Sequence, residues 1–266
     1  MSVLVISTFF RCSILRTSRT NCKSATIMKL SIIMPVYNER RYIEQILKKI
    51  WSVKTGIDRE LIIVESNSTD GTREIVKQYE RKDGIHVIYQ DKPLGKGAAL
   101  KEGFKRARGD IILIQDADLE YEPDDYPILL KPILDNDADF VLGSRHLGKN
   151  TWKIRRSTPL MWNARLIDIG SEFLSWLFFL LYHVKLTDPQ TMFKVFRREC
   201  ISGMEFKSNS FAFDWEIVIK MVKKGFVPVE IPVRYRSRSK KEGKKVKILK
   251  TGLQSLWCLI KYKFFN

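Results

Sequence analysis

Short apolar runs alternate along this chain with stretches in which apolar residues recur every three or four positions. The apolar runs predict strands at residues 30–34, 60–64, 86–89, 111–114 and 139–142. The periodic stretches predict helices at residues 41–51, 73–81, 98–107 and 124–134. Strands that alternate with helices in this way predict an α/β fold with a mostly parallel central sheet and helices on both faces.

The later part of the chain continues the alternation with longer, more aromatic segments. We expect a helix over most of residues 151–187, and then a strand, a helix and an extended segment at residues 191–196, 214–224 and 226–232. No repeat or low-complexity linker interrupts residues 29–247, which are expected to form one domain. A basic, amphipathic tail is expected at residues 248–266.

Polar clusters follow three of the predicted strands, at residues 35–39, 65–70 and 115–118. In open sheets of this class, ligands bind beyond the carboxyl ends of the strands. The third cluster holds Asp116 and Asp118, and side chains two apart in extended chain point the same way. Such a pair can hold Mg²⁺ or Mn²⁺ together with water and substrate phosphates, although a solvated turn after a buried strand is the alternative.

The charge of the chain is concentrated at its two ends. Its formal charge of +17 raises nucleic acid, a lipid surface and a phosphorylated substrate as possible anionic partners. Residues 1–28 carry four basic residues and no acidic one, and residues 234–266 carry eleven basic residues and one acidic one. The first segment is expected to be a leader, either a targeting peptide or an upstream extension before Met28. The body between is near neutral, so we expect no nucleic-acid partner.

The spacing of the cysteines and the length of the apolar stretches argue against a disulfide or zinc framework and against a membrane-spanning helix. The four cysteines have no CxxC spacing and the three histidines are scattered, so a disulfide framework or structural zinc is not expected. The longest suitable apolar stretch, residues 173–184, is shorter than the roughly 18 residues that a membrane-spanning helix needs. Together with residues 253–260 it favours contact with a membrane surface, although core packing explains the first stretch equally well.

Five motifs in order carry a resemblance to a known family. They are Pro35-Val-Tyr-Asn-Glu39, Glu65-Ser-Asn-Ser-Thr-Asp-Gly-Thr72, Gly95-Lys-Gly97, Gln115-Asp-Ala-Asp118 and Gly143-Ser-Arg145. Together they resemble the family 2 glycosyltransferases, and within them the dolichyl-phosphate mannose synthase and polyprenyl-phosphate sugar transferase branch. The resemblance implies a GT-A fold, a nucleotide-diphosphate sugar donor, a divalent metal and inversion at the anomeric carbon.

The resemblance also implies roles for individual residues. The metal would be held by Asp116 and Asp118, and Arg145 would approach the phosphates as a catalytic and donor-binding residue. The donor would be bound by Pro35, Tyr37, Glu39, Val64, Glu65, Asp116, Ala117, Asp118, Arg145, Arg238 and Lys244. One departure concerns the second motif, where the family usually has two aspartates and a glycine and this chain has Glu65, Ser66 and Asn67. The preference for uridine or guanosine therefore stays open.

The segment Phe211-Ala-Phe-Asp-Trp-Glu216 bears on the acceptor. A sugar hydroxyl loses a proton when it attacks, so a saccharide acceptor needs a general base, for which Asp214 and Glu216 are the candidates. A lipid phosphate is already ionised and needs none. Asp214 is equally compatible with an N-cap at the start of the predicted helix.

These observations give one predicted function and two alternatives. The first is a metal-dependent inverting glycosyltransferase that moves a hexose from a UDP- or GDP-sugar to a polyprenyl or dolichyl phosphate. It would work as a cytoplasmic protein, peripheral on the cytosolic face of a membrane. The nearest alternative is the same enzyme class with a saccharide acceptor, and an alternative of another class is a nucleic-acid-binding protein.

Overall fold

The computed structural model describes residues 28–147, 161–238 and 248–265 of the chain. Residues 1–27 of the expected leader and the predicted donor ligand Lys244 lie outside them. The strands are β1 Lys29–Val36, β2 Asp58–Glu65, β3 Ile85–Tyr89, β4 Ile111–Ile114, β5 Phe140–Ser144, β6 Lys194–Arg197 and β7 Val229–Pro232. The helices are α1 Ile43–Ser52, α2 Thr72–Lys77, α3 Lys96–Arg106, α4 Tyr126–Leu134, α5 Met161–Tyr182, α6 Phe213–Lys223 and α7 Ile248–Phe264.

The seven described strands form one sheet in the order β3-β2-β1-β4-β6-β5-β7. All neighbours pair in parallel except β6, which is antiparallel to both β4 and β5. The buried side chains of β1, β2 and β4 are apolar except for Ser31, Glu60 and Glu65, as expected where helices cover both faces of a mostly parallel sheet. The predicted α/β class is therefore confirmed.

Several predicted boundaries were wrong by a few residues. The strand β1 continues past Pro35 because Val36 still accepts a hydrogen bond, from the N–H of Ser66 at 2.9 Å. The helix α2 ends at Lys77, four residues before the predicted end. After Lys77 the main-chain N–H groups bind the carbonyl three residues earlier, as in turns, instead of four residues earlier. The strand β6 starts only at Lys194, because Met192 donates its N–H to the Tyr121 hydroxyl instead of to a neighbouring strand.

The C-terminal helix packs against the body by one face. Cys258, Leu259 and Tyr262 of α7 are buried in the hydrophobic core, where the helix lies against α5 and α6. The Tyr182 hydroxyl of α5 donates to the main-chain oxygen of Leu259 at 2.8 Å. The boundary between the domain at 29–247 and the tail at 248–266 stays a prediction. Within the described ranges, no helix is long and apolar enough to cross a bilayer.

Candidate active site

Three neighbouring parallel strands bring the predicted motifs to one edge of the sheet. In the register of the sheet, Pro35 of β1 lies beside Val64 of β2, and Ile33 lies beside Ile114 at the end of β4. The chain leaves each strand at the same edge, so the three polar clusters begin side by side. The Pro35 side chain is half-buried there and that of Tyr37 is 38% exposed.

The loops that follow β1 and β2 are tied to each other by hydrogen bonds. Asn38 accepts the N–H of Thr69 at 2.8 Å and donates its own N–H to the Ser68 hydroxyl at 2.9 Å. The N–H of Glu39 is bound by the Thr72 hydroxyl at 2.9 Å. Asn38 has a positive φ of 51°, a left-handed conformation that asparagine tolerates better than most residues. These bonds hold Tyr37 and Glu39 in place at the site edge.

Two of the predicted donor-binding residues are fully buried. Val64 is 0% exposed, so in this structure it presents no surface to a ligand, and its contact with the donor stays a prediction. Glu65 is also 0% exposed, and it accepts the N–H of Ser68 at 2.7 Å and a hydrogen bond from Nε of Arg73. The Glu65 carboxylate therefore shapes the loop after β2, and its direct contact with a nucleoside stays a prediction.

The predicted metal-binding pair, Asp116 and Asp118, lies where β4 ends. Ala117 is 3% exposed and packs into the core, while the carboxylates of Asp116 and Asp118 stay partly accessible. Burial, followed by the charges of Asp116 and Glu120, raises the pKa of Asp118 to about 7. Burial also raises the pKa of Asp116, in spite of the opposing charge of Lys96.

This arrangement fits a divalent cation that the substrate helps to bind. Crowded carboxylates that repel each other are stabilised by a nearby cation, and Mg²⁺ is commonly held by one or two carboxylates plus phosphates. Within residues 28–147, 161–238 and 248–265, no three His, Cys, Asp or Glu side chains are grouped so as to hold a metal ion. A cation at Asp116 and Asp118 would therefore need water or phosphate oxygens to complete its coordination.

Arg238 reaches this acidic cluster from the C-terminal part of the chain. Its guanidinium lies 2.8 Å from a carboxylate oxygen of Glu39 and 2.6 Å from one of Asp118. Its main-chain N–H donates to Glu120 at 2.8 Å. Burial would lower the pKa of Arg238, but Asp118 and Glu39 raise it above its ordinary value. The predicted donor ligand Arg238 is thus positioned beside the predicted metal ligand.

A chain of alternating charges runs from Asp116, at the end of β4, to the start of α6. The Nζ of Lys96 lies 3.2 Å from Oδ1 of Asp116 and 3.3 Å from Oδ2 of Asp214. The Nζ of Lys194 lies 3.1 Å from Oδ1 of Asp214 and also donates to the main-chain oxygen of Thr191. Burial would raise the pKa of Asp214, but the two lysines lower it below its usual range. Asp214 is therefore ionised, with an ammonium group at each of its two carboxylate oxygens.

Arg145 is fixed by a buried carboxylate. Its Nε and Nη2 each lie 2.7 Å from an oxygen of Asp188, which also accepts the Arg145 N–H at 2.9 Å. The guanidinium carbon lies 5.1 Å from the ring centre of Tyr235. Glu230 in turn accepts the N–H groups of Thr187 and Asp188, both at 2.8 Å. Arg145 therefore has one well-defined orientation.

The structure contradicts one interpretation of the 211–216 segment and bears on a second. Asp214 is not an N-cap: α6 begins at Phe213, and the capping residue Ala212 has no side-chain cap bond. Glu216 is 0% exposed, and its two oxygens accept the N–H groups of Lys207 and Ser208 at 2.7 Å each. Because both oxygens hold the main chain of residues 207–208, Glu216 has the contacts of a structural residue and not those of a general base.

Sequence reasoning missed Lys194, Asp188 and Glu120. Lys194 had a detectable signal, because it is a single charge inside an otherwise apolar predicted strand and such a residue needs a partner when buried. Asp188 and Glu120 lie in loops, and no periodicity distinguishes them from solvated residues.

The sequence profile described as Glycosyl transferase family 2 matches residues 31–201. The chain belongs to this family. A dolichol-phosphate mannosyltransferase of Pyrococcus furiosus is 32% identical over 225 residues, or 82% of this chain. The aligned part is only 61% of that protein's length, so the chain spans less than two thirds of this relative. An uncharacterised protein of Methanocaldococcus jannaschii is 30% identical over 244 residues, which are 89% of this chain and 93% of that protein.

Solved structures agree on the fold. Glucosyl-3-phosphoglycerate synthase from Mycobacterium tuberculosis, in complex with Mn²⁺, UDP and glucosyl-3-phosphoglycerate, superposes with a TM-score of 0.65. The two chains are 21% identical, and the match covers 90% of this chain and 81% of the other. The same enzyme with Mg²⁺ and UDP superposes with a TM-score of 0.61 at 20% identity. This family 2 glycosyltransferase therefore has the GT-A fold.

Proposed function

We propose that this glycosyltransferase moves a hexose from a UDP- or GDP-sugar to a polyprenyl or dolichyl phosphate, with inversion and with Mg²⁺ or Mn²⁺ as cofactor. The observation that carries the choice of acceptor is the double ion pair of Asp214 with Lys96 and Lys194. The similarity to a dolichol-phosphate mannosyltransferase supports the same choice.

The ion pairs of Asp214 make it a poor general base. A base must accept a proton from the attacking hydroxyl, and its pKa is best matched to the working pH. The pKa of Asp214 is lowered by its lysine partners, and each of its oxygens already accepts a hydrogen bond from an ammonium group. A phosphate acceptor is ionised before the reaction and needs no base, so it suits this site better than a sugar hydroxyl.

The transfer itself is a single displacement. An oxygen of the acceptor phosphate attacks the anomeric carbon while the bond from that carbon to the nucleotide diphosphate breaks, and its electron pair leaves with the diphosphate. A divalent cation at Asp116 and Asp118 would supply positive charge to the leaving group. Arg238 and Lys96 add fixed cations beside that pair, where the negative charge of the diphosphate develops.

Arg145 offers a further cation for a phosphate group. The hydrogen bonds from the Arg145 guanidinium to Asp188 come from Nε and Nη2, which leaves Nη1 pointing away from this carboxylate. An arginine held in this way keeps a fixed orientation, which lowers the entropy lost when a phosphate binds.

Helices α5 and α7 form the surface that we propose contacts the membrane. They contact each other, and both expose large apolar side chains: Phe173, Trp176, Phe179 and Leu180 on α5, and Leu253, Trp257, Phe264 and Phe265 at α7 and its end. Lys261 and Lys263 lie in the last turn of α7. Apolar and aromatic side chains beside lysines are typical of helices that lie in the interface of an anionic membrane. The lipid acceptor would reach the enzyme from that surface, for which we propose the cytosolic face.

A donor panel tests the proposal. The purified protein is offered UDP- and GDP-sugars with a polyprenyl phosphate, with and without EDTA, and release of UDP or GDP is measured with formation of the glycosyl lipid. We expect transfer from one nucleotide class, lost with EDTA and in Asp116→Asn and Asp118→Asn. Asp139→Asn is the matched control, because this carboxylate is 53% exposed and pairs with Arg197 at the other end of β5. Activity that persists in both aspartate variants would contradict the metal assignment, and transfer to a saccharide alone would contradict the acceptor.

A further inference from the structure

The contacts of Lys96 place it between two carboxylates with different expected roles. One is Asp116, a predicted metal ligand. The other is Asp214, whose ion pairs make it a poor general base. The Lys96 side chain is only 10% exposed, so water does little to screen its charge. A divalent cation at Asp116 and the ammonium of Lys96 would therefore compete for the same carboxylate.

The backbone at the start of α3 lies close to the segment that leads into α6. Lys96 is the first residue of α3, where the partial positive charge of the helix start disfavours a cation. Its neighbour Gly97 donates its N–H to the main-chain oxygen of Asn209 at 3.0 Å. A Cβ at Gly97 would lie 2.5 Å from the Ser208 oxygen and 2.8 Å from Cβ of Phe213. The start of α3 is thus pressed against the segment that leads into α6, which keeps the Cα of Lys96 within reach of Asp214.

Lys194 completes the arrangement from the other side. Its side chain is 0% exposed and its ammonium lies 3.1 Å from Asp214, so this buried pair adds no net charge. The pair ties Asp214 of α6 to Lys194 of β6 and leaves the second carboxylate oxygen of Asp214 for Lys96.

We propose that Asp214 is a positioning residue that sets the metal affinity of the site by sharing the ammonium of Lys96 with Asp116. When Asp214 binds Lys96, less of the ammonium's attraction acts on Asp116, and a divalent cation meets weaker competition there. Without Asp214, Lys96 is bound by Asp116 alone, and the cation must displace it completely. This inference rests on the proposed metal-dependent function and names a determinant of its metal site.

The experiment measures Mn²⁺ affinity directly, by electron paramagnetic resonance of free Mn²⁺, with the full chain and without turnover. Titrations use Mn²⁺ alone and Mn²⁺ with UDP or GDP. The central variant is Lys194→Met/Asp214→Asn, which removes a buried ion pair without changing the net charge. We expect it to weaken Mn²⁺ binding by about tenfold, since Lys96 then acts on Asp116 alone. Lys96→Met is expected to tighten binding by about fivefold or more.

The triple variant Lys96→Met/Lys194→Met/Asp214→Asn shows whether the effect passes through Lys96. It is expected to bind Mn²⁺ as tightly as Lys96→Met alone, within about twofold. Lys105→Met is the control for loss of a positive charge from α3, because the Lys105 side chain is 72% exposed. This variant should leave the Mn²⁺ affinity unchanged. Circular dichroism checks that each variant is folded, and Lys96→Met tests the inference by itself should the double variant not fold.

The outcomes separate this inference from the proposed function. If the wild-type chain binds no Mn²⁺ with either nucleotide, the proposed metal-dependent function is wrong and this inference is wrong with it. If the wild type binds Mn²⁺ but Lys96→Met does not bind it more tightly, the inference alone is overturned. It is also overturned if Lys194→Met/Asp214→Asn weakens Mn²⁺ binding by the same factor in the wild-type chain and in the Lys96→Met variant.

Discussion

The guanidinium of Arg238 lies 2.6 Å from a carboxylate oxygen of Asp118, a residue 120 positions earlier in the chain. This contact ties the segment after β7 to the end of β4, across the edge where the predicted metal ligands lie. A fixed cation at that point would face the diphosphate of a donor. The first prediction follows from it.

Replacement of Arg238 by alanine should lower kcat/KM for glycosyl transfer by about a hundredfold, because a fixed charge beside the leaving group is lost. Steady-state kinetics with the preferred donor measure the effect. Arg236→Ala is the control, since the Arg236 side chain is exposed and belongs to the same segment. Equal losses in the two variants would show that Arg238 has no special role.

Replacement of Asp188 by asparagine should destabilise the fold by about 3–5 kcal/mol, because it leaves the Arg145 guanidinium buried without its counter-charge. Asp188 is 1% exposed and binds Arg145 at two points. Urea denaturation followed by circular dichroism measures the free energy of unfolding. The control Asp139→Asn breaks a partly exposed pair and should cost about 1 kcal/mol or less. A similar cost for both variants would argue against the buried pair.

Replacement of Gly97 by alanine should lower both stability and transfer activity, since the new methyl group would collide with the main chain of Ser208. The collision displaces the start of α3 and with it Lys96. Gly170→Ala in α5 is the matched control: a Cβ there meets nothing within 4 Å, and alanine should stabilise this helix by about 1 kcal/mol. Thermal unfolding and product formation measure both effects, and a Gly97→Ala variant with normal activity would contradict the close packing.

The double variant Leu253→Ala/Trp257→Ala should weaken binding to vesicles that contain anionic phospholipid by about tenfold or more. Both side chains are more than half exposed on α7, at 62% and 59%. Co-sedimentation with vesicles measures the partition, and soluble donor binding should be unchanged. Ile128→Ala removes an apolar side chain of 46% exposure from α4 and serves as the control. If the control loses as much binding as the double variant, α7 is not the membrane-facing surface.

The sequence alone determined most strands of the sheet and the edge at which the polar clusters lie. Apolar runs such as residues 111–114 predict buried strands because burial on both faces excludes polar side chains. The spacing of Asp116 and Asp118 predicted that the two carboxylates share one side of the chain, and Ala117 between them is buried. These patterns are local, so periodicity is enough to detect them.

The tertiary structure alone decided which charges are partners. Lys194 and Asp214 are 20 positions apart, Arg145 and Asp188 are 43 apart, and Arg238 and Glu39 are 199 apart. It also showed that Glu216 binds the main chain of residues 207–208, a role that its place in a motif did not reveal. An ion pair carries no periodic signal, and its members meet only after the strand order and the helix packing have closed the loops between them. The residue types predicted a charged site, and the fold determined which charged residues form ion pairs.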